Sequence, residues 1–177
     1  MKKPKHNLQA LYSLSKAFDE SLKSNGINAE ISINGTGRLF TETMYNSKYH
    51  FSQINAPVYS MFGNDDFNIL LCTNGNSVEL FNIAVTVQGN GLGTEILNYL
   101  LDAADKCGVR INLNAVPTIL TQFLDEYHLN NKLAGAERFM AINEELTKGT
   151  DRLIGYYETL GFQSFGKPFQ MIYIPQK

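Results

Sequence analysis

The chain of 177 residues is 44% hydrophobic and 18% charged, enough for one well-buried core and short for two ordinary domains. Fifteen basic residues against seventeen acidic ones leave a formal net charge of −2; neither sign gathers in a long block, so the electrostatic footprint of a nucleic-acid binder is missing. No segment approaches the ~18 consecutive apolar residues of a membrane span, and the basic start, Met1-Lys2-Lys3-Pro4-Lys5-His6, runs into an amphipathic pattern and not into a signal-peptide core.

Leu8, Leu11, Phe18 and Leu22 recur at helical spacing among Gln9, Lys16, Asp19 and Glu20, which predicts a first helix over residues 7–24 stopped by Asn25-Gly26. Residues 29–33 alternate as a short strand, and Asn34-Gly35-Thr36-Gly37 reads as the turn of a hairpin whose second arm is Arg38-Leu39-Phe40-Thr41. Between Met44 and Asp66 the strand-like feature is Tyr49-His50-Phe51, followed by a loop at Gly63-Asn64-Asp65-Asp66. Two apolar runs, residues 67–73 and 77–87, flank Asn74-Gly75-Asn76 and predict a β-hairpin.

Leu92, Ile96, Leu100 and Ala103 line one face of a helix over residues 92–106, with Glu95, Asn98, Asp102 and Asp105 on the other and Gly108 at its end. Residues 109–116 alternate as a strand, completing a strand-helix-strand unit whose strands should be parallel. Two helical patterns follow, Ile119/Leu120/Phe123/Leu124/Tyr127 and Phe139/Ile142/Leu146; then a short helix over 151–160 stops at Gly161, with short strands expected at 163–165 and 170–174. Cys72 and Cys107 show no CxxC or Cys/His spacing, so neither a metal site nor a disulfide framework is expected, and the expected setting is reducing and cytoplasmic.

The segment richest in chemistry is Val87-Gln88-Gly89-Asn90-Gly91-Leu92-Gly93-Thr94, a glycine-rich turn between a strand and a helix. The first turn of a helix presents backbone N–H groups and the positive end of the macrodipole, so an anionic group can dock there. Spacing separates three phosphate motifs. A Walker loop needs a lysine after its last glycine, and here Thr94 follows Gly93. A dinucleotide fingerprint needs G-x-G-x-x-G and an acid about 20 residues on; the spacing here is G-x-G-x-G, and the corresponding region reads Ile111-Asn112-Leu113. What remains is Gln/Arg-x-x-Gly-x-Gly/Ala after a strand.

Gln88-Gly89-Asn90-Gly91-Leu92-Gly93 resembles motif A of the GCN5-related N-acetyltransferases (the GNAT family), and Gly155-Tyr156-Tyr157-Glu158-Thr159-Leu160-Gly161-Phe162 resembles their motif B. The combined pattern covers residues 67–175. The resemblance implies a single N-acetyltransferase domain over 1–177 of mixed α/β fold, with central parallel strands 77–87 and 109–116 splaying apart and a two-helix insertion, 118–150, before the last helix. It further implies that acetyl-coenzyme A lies in the gap. The backbone of 81–87, including Ile83, Ala84 and Val85, would bond its pantetheine arm, and the amides of Gln88, Gly89, Asn90, Gly91, Leu92, Gly93 and Thr94 would hold its diphosphate.

An N-acetyltransferase would pass acetyl directly to an amine of a small molecule or protein in a ternary complex, without a metal. A primary amine of pKa ~10 needs a base nearby; by the resemblance this is Glu79, read as sharing a face with Phe81 and Ile83. A strand amide near residues 83–85, freed by a bulge or the splay, would meet the oxyanion. Tyr157, with Tyr156 as the alternative, would return a proton to the departing thiolate. His50 and His128 are the other groups that titrate near neutral pH.

The sequence departs from the family pattern in its short strand exit, Thr86-Val87, and in carrying Thr150 and Leu153 where an asparagine and a small residue are usual. The 118–150 segment is expected to cover the acceptor or to form a homodimer contact. The alternative function is a non-catalytic acyl-coenzyme A-binding or regulatory module. A transferase aimed at charged tRNA is disfavoured by the acidic balance.

Overall fold

The amphipathic start forms α1 (Leu8–Ser24) in the computed structural model, which describes residues 8–35, 39–40, 53–54, 59–74, 77–87, 89–116, 136–167 and 169–176. Leu11, Leu14, Phe18 and Leu22, at i, i+3, i+7 and i+11, are all buried, and each contributes about 1.5–3 kcal/mol by leaving water. Asn25 and Gly26, the latter at φ 75°, close the helix end on Ser21, Leu22 and Lys23 carbonyls. The chain divides into two compact units, Met1–Leu113 with Tyr173–Lys177, and Asn114–Ile172. Together they make a mixed α/β fold with three α-helices among the described residues.

In the first unit, β1 (Glu30–Gly35) pairs antiparallel with a strand far along the chain, β4 (Tyr59–Gly63). This overturns the expected local hairpin. Leu39 and Phe40, its intended second arm, form β2 (Leu39–Phe40) and pair with β3 (Gln53–Ile54) in a separate two-stranded sheet. Glycine-rich punctuation at residues 34–37 predicts a tight turn there, but β1 takes its partner from far along the chain, in five residue pairs with β4. Tyr49-His50-Phe51 lies outside the described residues.

The second hairpin forms as expected. β5 (Phe67–Asn74) and β6 (Ser77–Val85) pair antiparallel, with β4 on the far side of β5. α2 (Leu92–Cys107) follows, with Ile96, Leu97, Leu100, Leu101, Ala103 and Ala104 buried, and ends at Gly108 in the left-handed conformation. β7 (Ile111–Asn114) returns parallel to β6. Helices α1 and α2 pack on each other and on this sheet. Phe18 meets Phe62 edge to face at 4.8 Å between ring centroids, and buried Ser15 donates to Ser60 Oγ at 2.7 Å. Those contacts put Ser60 and Phe62 of β4, and through the ladder Ile69, Leu71, Leu80 and Ile83, on the helix-covered face. Tyr173 donates to the Asp105 carboxylate of α2 at 2.9 Å, tying the chain end to this unit.

In the second unit, α3 (Ala136–Thr159) is one continuous helix of 24 residues. The apolar spacing predicts two helices here, one over Phe139/Ile142/Leu146 and one over 151–160, on either side of Gly149. A single glycine costs a helix about 1 kcal/mol and does not end it. The expected two-helix insertion therefore loses its second helix to α3, and its first, Ile119 to Tyr127, lies outside the described residues. At the C-terminal end Leu160 and Phe162 both donate to the Tyr157 carbonyl, and Gly161 sits at φ 91°. β8 (Gln163–Ser164) and β9 (Gln170–Tyr173) follow as an antiparallel pair, and the Ala115 N–H just past β7 donates to the Phe169 carbonyl at 2.8 Å.

Candidate functional site

Two breaks in strand pairing define the site. The first is a bulge: Leu71 stands opposite Leu80 and Leu70 opposite Asn82, so Phe81 is an extra residue in β6. Its ring is 45% exposed. The second is the end of a ladder. The parallel ladder of β6 with β7 holds at Val78/Ile111, Glu79/Asn112 and Leu80/Leu113 and goes no further. From residue 81 to 85 the edge of β6 on the β7 side carries no strand among the described residues.

The bulge also changes which side chains share a face. Glu79 stands opposite Cys72, and Asn82 opposite Leu70, whereas Ile83 stands opposite Ile69. Glu79 therefore shares its face with Asn82 and Ala84; Ile83 points to the α1/α2 side, contrary to the alternation read from the sequence. An inserted residue reverses the phase of every position after it, and nothing in the apolar pattern of β6 announces one.

The strand exit is short but well held. Thr86 donates its N–H to the Asp66 carbonyl at 2.8 Å and its hydroxyl to the Asp65 carbonyl at 2.6 Å. That turn is itself organised by Asn64, whose Oδ1 accepts from the Asp66 and Phe67 amides and whose Nδ2 donates to the Asn28 carbonyl. The glycine turn follows. Gly89 and Gly91 lie at φ 82° and 83°, where L side chains are strained, and a Cβ on either would meet nothing within 4 Å, so the backbone faces open space. The Asn90 Oδ1 accepts from the Leu92 amide at 3.1 Å, and the helical ladder starts with the Glu95 amide donating to the Gly91 carbonyl. A Cβ on Gly93 would meet Val85 at 3.5 Å, an ordinary contact, so the first turn of α2 lies beside the end of β6 with room for a methyl. Gln88 lies outside the described residues, as do His50 and His128; Ile83, Ala84, Val85, Leu92 and Thr94 take their places along β6 and the first turn of α2.

Burial raises the Glu79 carboxyl above the ordinary carboxylate range. Cys72, 4% exposed and opposite it, is pushed up to about 12 by burial, with the Glu79 charge adding. Asn112, abreast of Glu79 on β7, donates through Nδ2 to Ser77 Oγ at 2.7 Å. Neither Asn112 nor Ser77 stood out in the sequence. The available signal was Ile-Asn-Leu-Asn in a parallel strand, where an apolar run is the norm.

Tyr157 belongs to the second unit. It is 8% exposed, its ring lies edge to face on Phe162 at 5.5 Å and 5.3 Å from Tyr156, and burial pushes its phenol up to about 12. Tyr156, half-buried, is its neighbour on α3.

No family model matches the sequence, and neither does any curated protein. Among solved structures, the crystal structure of anti-CRISPR protein AcrVA5 aligns over 64% of this chain and 95% of its own, at 16% identity and a TM-score of 0.40. So distant a likeness carries no inference about activity. No helix among the described residues is long and apolar enough to cross a membrane.

Proposed function

We propose that this chain is an acetyl-coenzyme A-dependent N-acetyltransferase that passes acetyl directly to an amine. The observation that carries the reading is the end of the β6–β7 ladder at Leu80/Leu113, which leaves residues 81–85 of β6 without a strand on that side among the described residues, on a strand that leads through Thr86 into the glycine turn and the start of α2. A bare strand edge can pair with the amides of an extended ligand as it would with another strand. A helix N-terminus behind it suits a diphosphate. Pantetheine diphosphate combines those two chemistries at one end of an extended chain.

Within that reading, the acceptor nitrogen, neutral once its ammonium proton has passed to solvent, gives a second proton to Glu79 as it forms the new C–N bond with the thioester carbonyl carbon. The C–S bond breaks, and the thiolate takes a proton from Tyr157. A carboxyl raised toward neutrality is a better-matched base than an ordinary glutamate. A phenol near 12 still holds its proton at neutral pH. The Phe81 bulge, where the ladder with β5 is interrupted, is the first place to seek the amide that meets the oxyanion. Cys72 does not fit a covalent route, since a thiol near 12 is protonated at neutral pH and its strand partner is another acid.

The deep burial of Tyr157 favours a second reading, an acyl-coenzyme A-binding module without turnover. Calorimetry with acetyl-coenzyme A and assay of free thiol released with a panel of amines distinguish them. Binding with thiol release supports the enzyme; binding without release on any amine supports the module; no binding removes both.

A further inference from the structure

The sheet strands of the first unit, β1 and β4 to β7, contain no Lys, Arg or His. One pair before the parallel ladder ends, Glu79 and Asn112 lie abreast on the face away from α1 and α2, on strands separated by about 4.8 Å. The amide nitrogen of Asn112 is committed to Ser77 Oγ. Its oxygen, Oδ1, is buried and meets no donor among the described residues. Buried acceptors without a donor are exceptional in native proteins, and each calls for an account, a catalytic role or a bound water among them. The orphaned oxygen stands next to a carboxylate, at the place where the proposed acyl transfer needs an amine.

We infer that Asn112 is an acceptor-binding residue, its Oδ1 and the Glu79 carboxylate together receiving an aliphatic cationic amine that bears no carboxylate beside the reacting nitrogen. An ammonium carries three donors and no acceptor, which two neighbouring acceptor oxygens match. An amino acid would bring its carboxylate to strands that hold no cation to receive it. Ser77 is a positioning residue: by occupying Nδ2 it keeps the oxygen end of the amide toward the amine.

This inference rests on the N-acetyltransferase reading, and the experiment separates the two. The full chain is titrated with acetyl-coenzyme A by calorimetry and assayed for thiol release with cadaverine and with glycine. Wild type should use cadaverine with a kcat/KM at least tenfold above that for glycine. Asn112→Leu should raise the cadaverine KM about tenfold and move the acetyl-coenzyme A Kd by less than twofold; Asn112→Asp, which keeps an acceptor oxygen, should hold KM within threefold, and Ser77→Ala should fall between. Should Asn112→Leu fail to fold, the other two variants carry the comparison, and equal KM values for Ser77→Ala and wild type overturn the assignment. A cadaverine KM that Asn112→Leu leaves unchanged while lowering Tm makes the oxygen a hydrated structural group and overturns the inference alone, as does a preference for glycine. Failure of wild type to bind acetyl-coenzyme A overturns the function itself.

Discussion

Glu79 and Tyr157 are both shifted upward by burial, and the two shifts make different demands on a pH profile. A base works only when deprotonated, so the acid limb of kcat/KM should lie above the ordinary carboxylate range and disappear in Glu79→Gln, with a rate loss on the order of 100-fold or more. A profile that Glu79→Gln leaves unshifted removes Glu79 from the chemistry. The Tyr157 phenol instead bears on stability. The folded state holds this proton more tightly than the unfolded chain, so the stability it contributes is complete below about pH 10 and is lost as pH rises toward 12. Cys72 acts in the same direction from its ordinary value of 9.0 upward. Denaturant titrations at pH 8 and 11.5 should show a fall for wild type that is smaller in Tyr157→Phe, by about 2 kcal/mol at most. Identical falls would mean that the phenol is not desolvated.

Gly91 and Gly93 look alike in the sequence and have separate duties in the turn between β6 and α2. Gly91, at φ 83° with open space around it, is needed for its backbone, so Gly91→Ala should cost about 1 kcal/mol of stability through strain alone. Gly93 is helical and a methyl there would make an ordinary contact with Val85, so Gly93→Ala should leave the melting temperature unchanged or slightly raised. Paired thermal melts check this; equal destabilisation would contradict the described turn. The same contrast explains what was legible in the sequence. The helix faces of α1 and α2, the β5–β6 hairpin and the parallel return of β7 were readable because their apolar periodicity and glycine stops are local. The pairing of β1 with β4 and the bulge at Phe81 were not, because one depends on a partner distant in sequence and the other on an inserted residue that leaves the composition unchanged; the unbroken run of α3 was not, because a lone glycine reads as a stop yet only weakens a helix.

For the whole molecule the reading predicts a ligand effect that exceeds any one contact. Acetyl-coenzyme A at 100 times its Kd should add about 2.7 kcal/mol, a rise in Tm of roughly 5 to 11 °C for a chain of this length. No shift under those conditions would remove the cleft as a ligand site. The turn at the start of α2 was legible through its three glycines, whereas Asn112 and Ser77 appeared only once β6 and β7 were set in register.

The edge of β6 beyond Leu80 offers peptide groups, not side chains, to whatever lies along it. Peptide groups are the same in every residue except proline, which lacks the N–H. Such a cleft can persist through generations of substitution while the letters that spell it drift past recognition. A saturation scan of residues 81–85 should therefore find proline intolerable where most other replacements pass.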